Sequence, residues 1–227
     1  MNQSGLSRRD RYRAGTIAEI KDLALSQIAS GGTEALSLNA IAKDMAVSSG
    51  AIYRYFASRE DLLADLAADA YESLAETLEA AAAGIYQSAR ERARAVTVAF
   101  RQWALEQPHR YRLAFFIPTG SGQLAPGRVI PAAQRSMNVF RDVLASARTV
   151  PAPAPPLPPG LDAQLQAWHQ RSAAPPLSSA DLYRGITAWT RLHGLLSLEL
   201  EGHLAATQID PGLLYQAETD TLIAHLN

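Results

Sequence analysis

LNAIAKDMAVSSGAIYRYF, residues 38–56, reads as two short amphipathic helices joined by a tight turn. The first carries Leu38, Ile41 and Ala42 on one side, and the second runs from Ser49 to Phe56. Ile41, Ala42, Val47, Ile52 and Phe56 are the expected internal contacts, with Ala42 small enough to let the two backbones approach closely. Ser49, Gly50, Ala51, Tyr53, Arg54 and Tyr55 are then left facing outward. Small polar residues at the start of such a helix allow it to sit deep in a major groove about 12 Å wide.

The flanking sequence is helical as well. Upstream, Ile17, Ile20, Ala24 and Ile28 fall on one face of a first helix that Gly31-Gly32 ends. Downstream, Ser58 with Asp61 three residues later predicts a capped start for a long helix bearing Leu62, Leu66, Ala70 and Leu74. Further helices are expected from beyond Gly84 to about Gln107, over His109–Phe116 behind Pro108, and over about 129–148. Pro118–Gly122 reads as a loop.

Between Thr149 and Leu177 lie eight of the thirteen prolines, which predicts an extended, exposed stretch with at most a short helix at Leu161–Arg171. Ser178 with Asp181 caps a helix to about Ala205, and Asp210-Pro211 caps the last one. Strand-like alternation is sustained nowhere, so the fold class is all-α.

Composition sets the limits on function. With 48% hydrophobic residues the 227-residue chain can bury a real core. It has no cysteine, which rules out disulfides and thiolate metal sites and fits a reducing compartment. The polar, basic start MNQSGLSRRDRYRAG and the lack of any long apolar run predict a soluble, cytoplasmic protein with no membrane partner. Net charge is −1, but residues 1–59 carry eight basic and five acidic side chains, a +3 head on an acidic remainder. That asymmetry permits nucleic-acid binding without requiring it. Arg8, Arg9, Arg11 and Arg13 read either as a solvated basic tail or as an arm for a minor groove.

The stretch from 37 to 66 resembles the TetR/AcrR family of transcriptional regulators. The resemblance is carried by Ile41-Ala42, Val47-Ser48, Gly50, Tyr53, Tyr55-Phe56, Arg59 and Leu62-Leu63. Ala46 departs from the family's usual glycine, a position where φ > 0 would cost alanine about 1 kcal/mol. Arg59 replaces the usual lysine and keeps the capacity to meet a phosphate.

The resemblance implies a three-helix DNA-binding domain at residues 1–57 and a ligand-binding and dimerisation domain at 58–227, with a Pro-rich loop at 149–177. The implied DNA-contacting set is Ser37, Asn39, Ser48, Ser49, Gly50, Ala51, Tyr53, Arg54, Tyr55 and Arg59. Within it, Tyr53, Tyr55 and Arg59 would hold phosphates, and Asn39, Ser49, Ala51 and Arg54 would read base edges. Tyr53 could equally be a core aromatic beneath Phe56, and Ser49 a helix cap only.

The body is expected to pair with its copy through the two C-terminal helices, where Leu192, Leu195, Leu196, Leu198 and Leu200 cover more than one face. Trp189, His193 and Gly194 resemble the Trp…His-Gly element of one class of TetR-type ligand domains. Phe100, Trp103, Tyr111, Phe115, Phe116, Trp189 and His193 are therefore candidates to line an effector pocket, with plain core packing as the competing reading for each. The expected function is a ligand-responsive repressor acting on a palindromic operator as a homodimer, with no cofactor and no metal. An activator and a ligand-blind interaction module stand as alternatives. An enzyme has one weak foothold, Glu199 and His203 at i, i+4, and Gly120–Gly122 lacks the elbow of a serine hydrolase.

Overall fold

A computed structural model describes residues 7–116, 126–146, 157–171 and 176–224 of the chain. Pro118–Gly122, and residues 149–156 and 172–175 of the Pro-rich stretch, all expected as loop or extended chain, lie outside the described residues. Those described are helices and their connections, with no strand among them. None of these helices is long and apolar enough to cross a membrane. The helices are α1 (Arg8–Gly31), α2 (Leu38–Asp44), α3 (Ser49–Ile52), α4 (Arg59–Ala82), α5 (Ala89–Glu106), α6 (Pro108–Phe115), α7 (Pro126–Ser146), α8 (Leu161–Gln170), α9 (Ser179–Leu200) and α10 (Pro211–Ala224).

Packing divides these elements into two compact units: residues 1–70 with 109–129, and residues 71–108 with 130–227. The grouping differs from a single cut after residue 57. The first half of α4, nearly all of α6 and the first residues of α7 join the N-terminal helices.

In the first unit α1 supplies Ile20, Ala24 and Ile28 to the core, as its periodicity predicts, and Gly32 ends it at φ 72°. The helix begins at Arg8. Ser7 caps it by accepting from the Asp10 N–H, and the Ser7 hydroxyl also donates to the Asp10 carboxylate. Arg8, Arg9, Arg11 and Arg13 are thus the exposed first turns of a helix rather than a tail or an arm. Ile41, Ala42, Ile52 and Phe56 are buried where α2, α3 and the start of α4 need a common core. Val47 is not part of it and stays 42% exposed.

The reason lies in how α2 stops. The Ala46 N–H bonds to the Lys43 carbonyl and the Val47 N–H to the Ala42 carbonyl, the paired bonds of a Schellman motif. Its left-handed residue is Ala46, at φ 53°. The helix α9 ends by the same two bonds, Gly202 to Glu199 and His203 to Leu198, with glycine at the left-handed position. One turn thus has the residue it favours and the other does not. Ala46→Gly is expected to raise stability by about 0.5–1 kcal/mol, the αL cost of alanine less the extra freedom glycine gains when unfolded. Chemical denaturation would check it, and an unchanged midpoint would show that the turn carries no strain.

The start of α4 follows the predicted cap closely. The Ser58 hydroxyl accepts from the Asp61 N–H at 3.1 Å, and the Asp61 carboxylate reaches back to the Ala57 N–H at 3.0 Å. Lys21 of α1 bridges Asp65 and Asp69 of α4 at 2.6 and 2.5 Å, and Arg128 of α7 pairs with the same two carboxylates.

In the second unit α9 packs against α5, α8 and α10, and α10 against α5. Tyr215 of α10 is buried and its hydroxyl donates to the Thr97 carbonyl of α5 at 2.9 Å. The expected short helix at 161–171 is present as α8, fixed by the Gln166 amide donating to the Leu177 carbonyl and the Ser179 hydroxyl. Asp210 caps α10 through the N–H groups of Gly212 and Leu213. Because Gly202 ends α9 at Leu200 rather than near Ala205, His203 leaves the helix. Glu199 and His203 therefore do not share one face of a helix. Glu199 instead receives two hydrogen bonds from Arg101, at 3.0 and 2.5 Å.

Candidate nucleic-acid interface

Each of the ten expected DNA-contacting residues lies in or beside α2, α3 and the start of α4, within one compact unit. Asn39, Ser48, Ser49, Gly50, Tyr53 and Arg54 are exposed, while Ile41, Ala42, Ile52 and Phe56 on the opposite side are buried. The two-sidedness follows from the sequence. An apolar residue at every third or fourth position turns one side of a short helix inward and leaves the rest to solvent.

Two alternatives left open by the sequence are resolved, at Ser49 and at Tyr53. Ser48, not Ser49, occupies the cap position of α3, so Ser49 is the first helical residue and faces out. Tyr53 is 47% exposed and is not the core aromatic beneath Phe56. At Gly50 a Cβ would meet nothing within 4 Å, so this part of α3 offers an open, low surface. The helix itself is shorter than expected. After Ile52 the chain tightens, the Tyr55 N–H bonding to the Ile52 carbonyl at 2.8 Å, which swings Phe56 into the core.

Four further residues are held differently. Ser37 caps α2 by accepting from the Ala40 N–H, and its own N–H donates to the Gln27 side chain. Ala51 is half-buried. Tyr55 is half-buried with the Arg13 guanidinium 5.1 Å from its ring centre, a cation–π pairing that joins the turn after α3 to α1. Arg59 turns inward. Its Nη2 donates to the Thr33 carbonyl at 2.6 Å and its Nε to the Leu36 carbonyl at 3.2 Å, with Glu60 at 3.6 Å. A hydrogen bond to its own backbone N–H at the start of α4 lowers the pKa of the Glu60 carboxyl from its ordinary value.

Arg59 therefore ties the turn before α2 to the start of α4. Arg59→Met is expected to cost about 1–2 kcal/mol, since charge-assisted bonds to two carbonyls are lost at a partly exposed site. Thermal unfolding of Arg59→Met beside Arg59→Lys checks this. Wild-type stability with weakened DNA binding would return Arg59 to the phosphate-contacting set.

The expected effector residues fall into separate groups. In the second unit Phe100 meets Phe140 edge-on at 6.0 Å, both buried. Trp103 is buried and its indole N–H donates to Ser73 at 3.2 Å. Trp189 stacks on His193 at 5.1 Å, and burial lowers the pKa of that imidazole from its ordinary value. In the first unit Tyr111 is buried against Phe115 at 4.9 Å, whereas Phe116 is exposed. Sequence reading missed the cavity formed by α7, α8 and α9 with Arg141, Trp168 and Ile186 in its wall. Its arginines and apolar residues are scattered over 57 positions and leave no local signature.

Residues 20–66 match the family model described as bacterial regulatory proteins, tetR family, and residues 93–222 match that of the tetracyclin repressor-like C-terminal domain. The HTH-type transcriptional regulators Rv1816 of Mycobacterium tuberculosis and Mb1846 of Mycobacterium bovis are each 30% identical over 219 residues, covering 92% of this chain and 91% of theirs. The solved structure of the regulatory protein SCO4313 is 40% identical and superposes with a TM-score of 0.79, over 96% of this chain and all of that one. PfmR from Thermus thermophilus, described as a TetR family regulator, shares the fold at 17% identity and a TM-score of 0.56, over 90% of this chain and 97% of its own.

Proposed function

The chain belongs to the TetR family of DNA-binding transcriptional regulators and is not an enzyme; on that premise we propose that it is a ligand-responsive repressor that binds a palindromic operator as a homodimer. The observation that supports the reading is the two-sided α2–α3 pair. Its inner residues are buried, while Asn39, Ser48, Ser49, Gly50, Tyr53 and Arg54 present an unobstructed face. In this reading Arg54 and Asn39 reach base edges, Tyr53 and Lys43 meet phosphates, and the exposed arginines that open α1 add sequence-independent attraction.

A single short helix contacts too little DNA for specific binding, so two heads about 34 Å apart on one duplex are needed. The exposed residues of α9 and α10, among them Leu198, Leu213, Ala217 and Thr221, are the surface we assign to pairing with a second copy. In this reading residues 1–57 do the DNA reading and residues 58–227 the sensing and pairing, a division of labour that does not coincide with the two packing units. An effector held more tightly in one spacing of the heads than in the other shifts the dimer away from operator-competent geometry.

Selection of bound sequences from a random DNA pool, followed by gel shifts across a salt series, tests the proposal. The expected outcome is a palindrome with half-sites one turn apart and affinity that falls steeply with salt. Recovery of a single half-site, or no enrichment at all, would sink it.

A further inference from the structure

The second unit holds a cavity of about 380 Å³ between α7, α8 and α9. That volume suits a small organic molecule. Met137 of α7, Trp168 of α8 and Ile186 of α9 form an apolar wall, and Asn138 adds an amide. Two arginines also line it, Arg141 on α7 and Arg171 at the end of α8, and none of the described lining residues is a carboxylate. The Arg141 side chain is only 3% exposed. It bonds through Nε and Nη2 to one oxygen of its neighbour Asp142, at 3.0 and 2.8 Å, and that aspartate side chain is itself 52% exposed.

From this juxtaposition we propose that the cavity binds a small amphipathic carboxylate, its anionic end toward Arg141 and Arg171 and its apolar body against Met137, Trp168 and Ile186. Arg141 keeps its bonds to the half-exposed Asp142, and Arg171 adds a second guanidinium at the mouth, so an anion arriving with its own apolar cover gains charge-assisted contacts without rewetting the site. Among the described lining residues there are two cations and no carboxylate, with Asp142 paired to Arg141 from outside the lining, and this balance disfavours an amine of the same shape. The apolar wall in turn disfavours a bare inorganic anion. Of the residues expected to line an effector pocket, Phe100, Trp103, Trp189 and His193 belong to this unit, and none of them is in the lining of this cavity. Its regulatory meaning rests on the ligand-responsive reading, whereas binding itself does not.

The test is calorimetric titration of the full chain, without DNA, with octanoate and phenylacetate, and with octan-1-ol and acetate as partial probes. Saturable binding of at least one of the two carboxylates is expected, about tenfold or more tighter than octan-1-ol or acetate. Arg171→Gln, at an exposed position, is expected to weaken it about tenfold. Ile186→Trp, which fills the cavity, is expected to abolish it while thermal unfolding remains cooperative. No saturable binding of either carboxylate, equal binding of octan-1-ol, or binding untouched by Ile186→Trp each overturns the proposal. A carboxylate that binds here yet leaves operator affinity unchanged supports the site and counts against effector control.

Discussion

Gly50→Glu is expected to abolish operator binding, by about a hundredfold or more, while leaving the protein folded and its oligomeric state unchanged. Nothing lies within 4 Å of where a Cβ at Gly50 would sit, so the new side chain extends into solvent and disturbs no neighbour. A carboxylate near the start of a short helix is, if anything, slightly favoured by the unpaired backbone N–H groups there. Against a duplex the same carboxylate meets phosphate oxygens and base-edge acceptors, with its bulk holding α3 away from the groove floor. A wrong contact of this kind costs about 1–3 kcal/mol, and a dimer makes it twice. Gly50→Ala, adding only a methyl group, should lose far less. Gel shifts on the selected operator, with circular dichroism and gel filtration on the same samples, supply the answer. Wild-type affinity in Gly50→Glu would mean that α3 does not enter the groove.

How far the head is legible in the sequence can be argued from its turns. Ile41, Ala42, Ile52 and Phe56 announce the core because short helices leave few ways to bury apolar residues at those spacings. Ser58 with Asp61 announces a cap for an equally local reason. Val47 misleads because the Schellman turn that places it at the surface depends on Ala46 adopting a left-handed conformation, which alanine does not advertise. Arg59 misleads because its partners, the Thr33 and Leu36 carbonyls, lie 26 and 23 residues back, beyond any local pattern. The end of α9 is the opposite case. Gly202 carries the stop signal openly, and the leucine-rich periodicity before it draws the expected helix too far.

The body is less legible for a physical reason. In an all-α domain, aromatic residues at helical spacing satisfy core packing and ligand pockets equally well, and only three-dimensional neighbours tell them apart. Phe100 and Trp103 illustrate this. Their sequence setting suits a pocket, yet each is 2% exposed and has a packing or hydrogen-bonding partner within its own unit. The cationic cavity at α8 has the reverse fate. Its walls come partly from a helix flanked by the prolines that make this part of the chain look like a spacer.

Trp103→Ala therefore bears directly on which of these two jobs that side chain does. If Trp103 is core, truncation removes a large buried surface and leaves a void, for a loss of about 3–5 kcal/mol and a fall in Tm of about 10 °C in a chain of this size. Ser73 would also lose the indole N–H that its hydroxyl accepts at 3.2 Å. Trp103→Phe keeps most of the volume and drops only that hydrogen bond, so its cost should be about 1–2 kcal/mol. If Trp103 instead walls a cavity built to be occupied, the site already tolerates empty space beside it. Truncation would then cost little stability and would chiefly change which effectors relieve DNA binding. Denaturant unfolding of the two variants, run beside gel shifts with and without candidate effectors, separates the cases. Burial and the Ser73 bond favour the first, and near-wild-type stability in Trp103→Ala would overturn it.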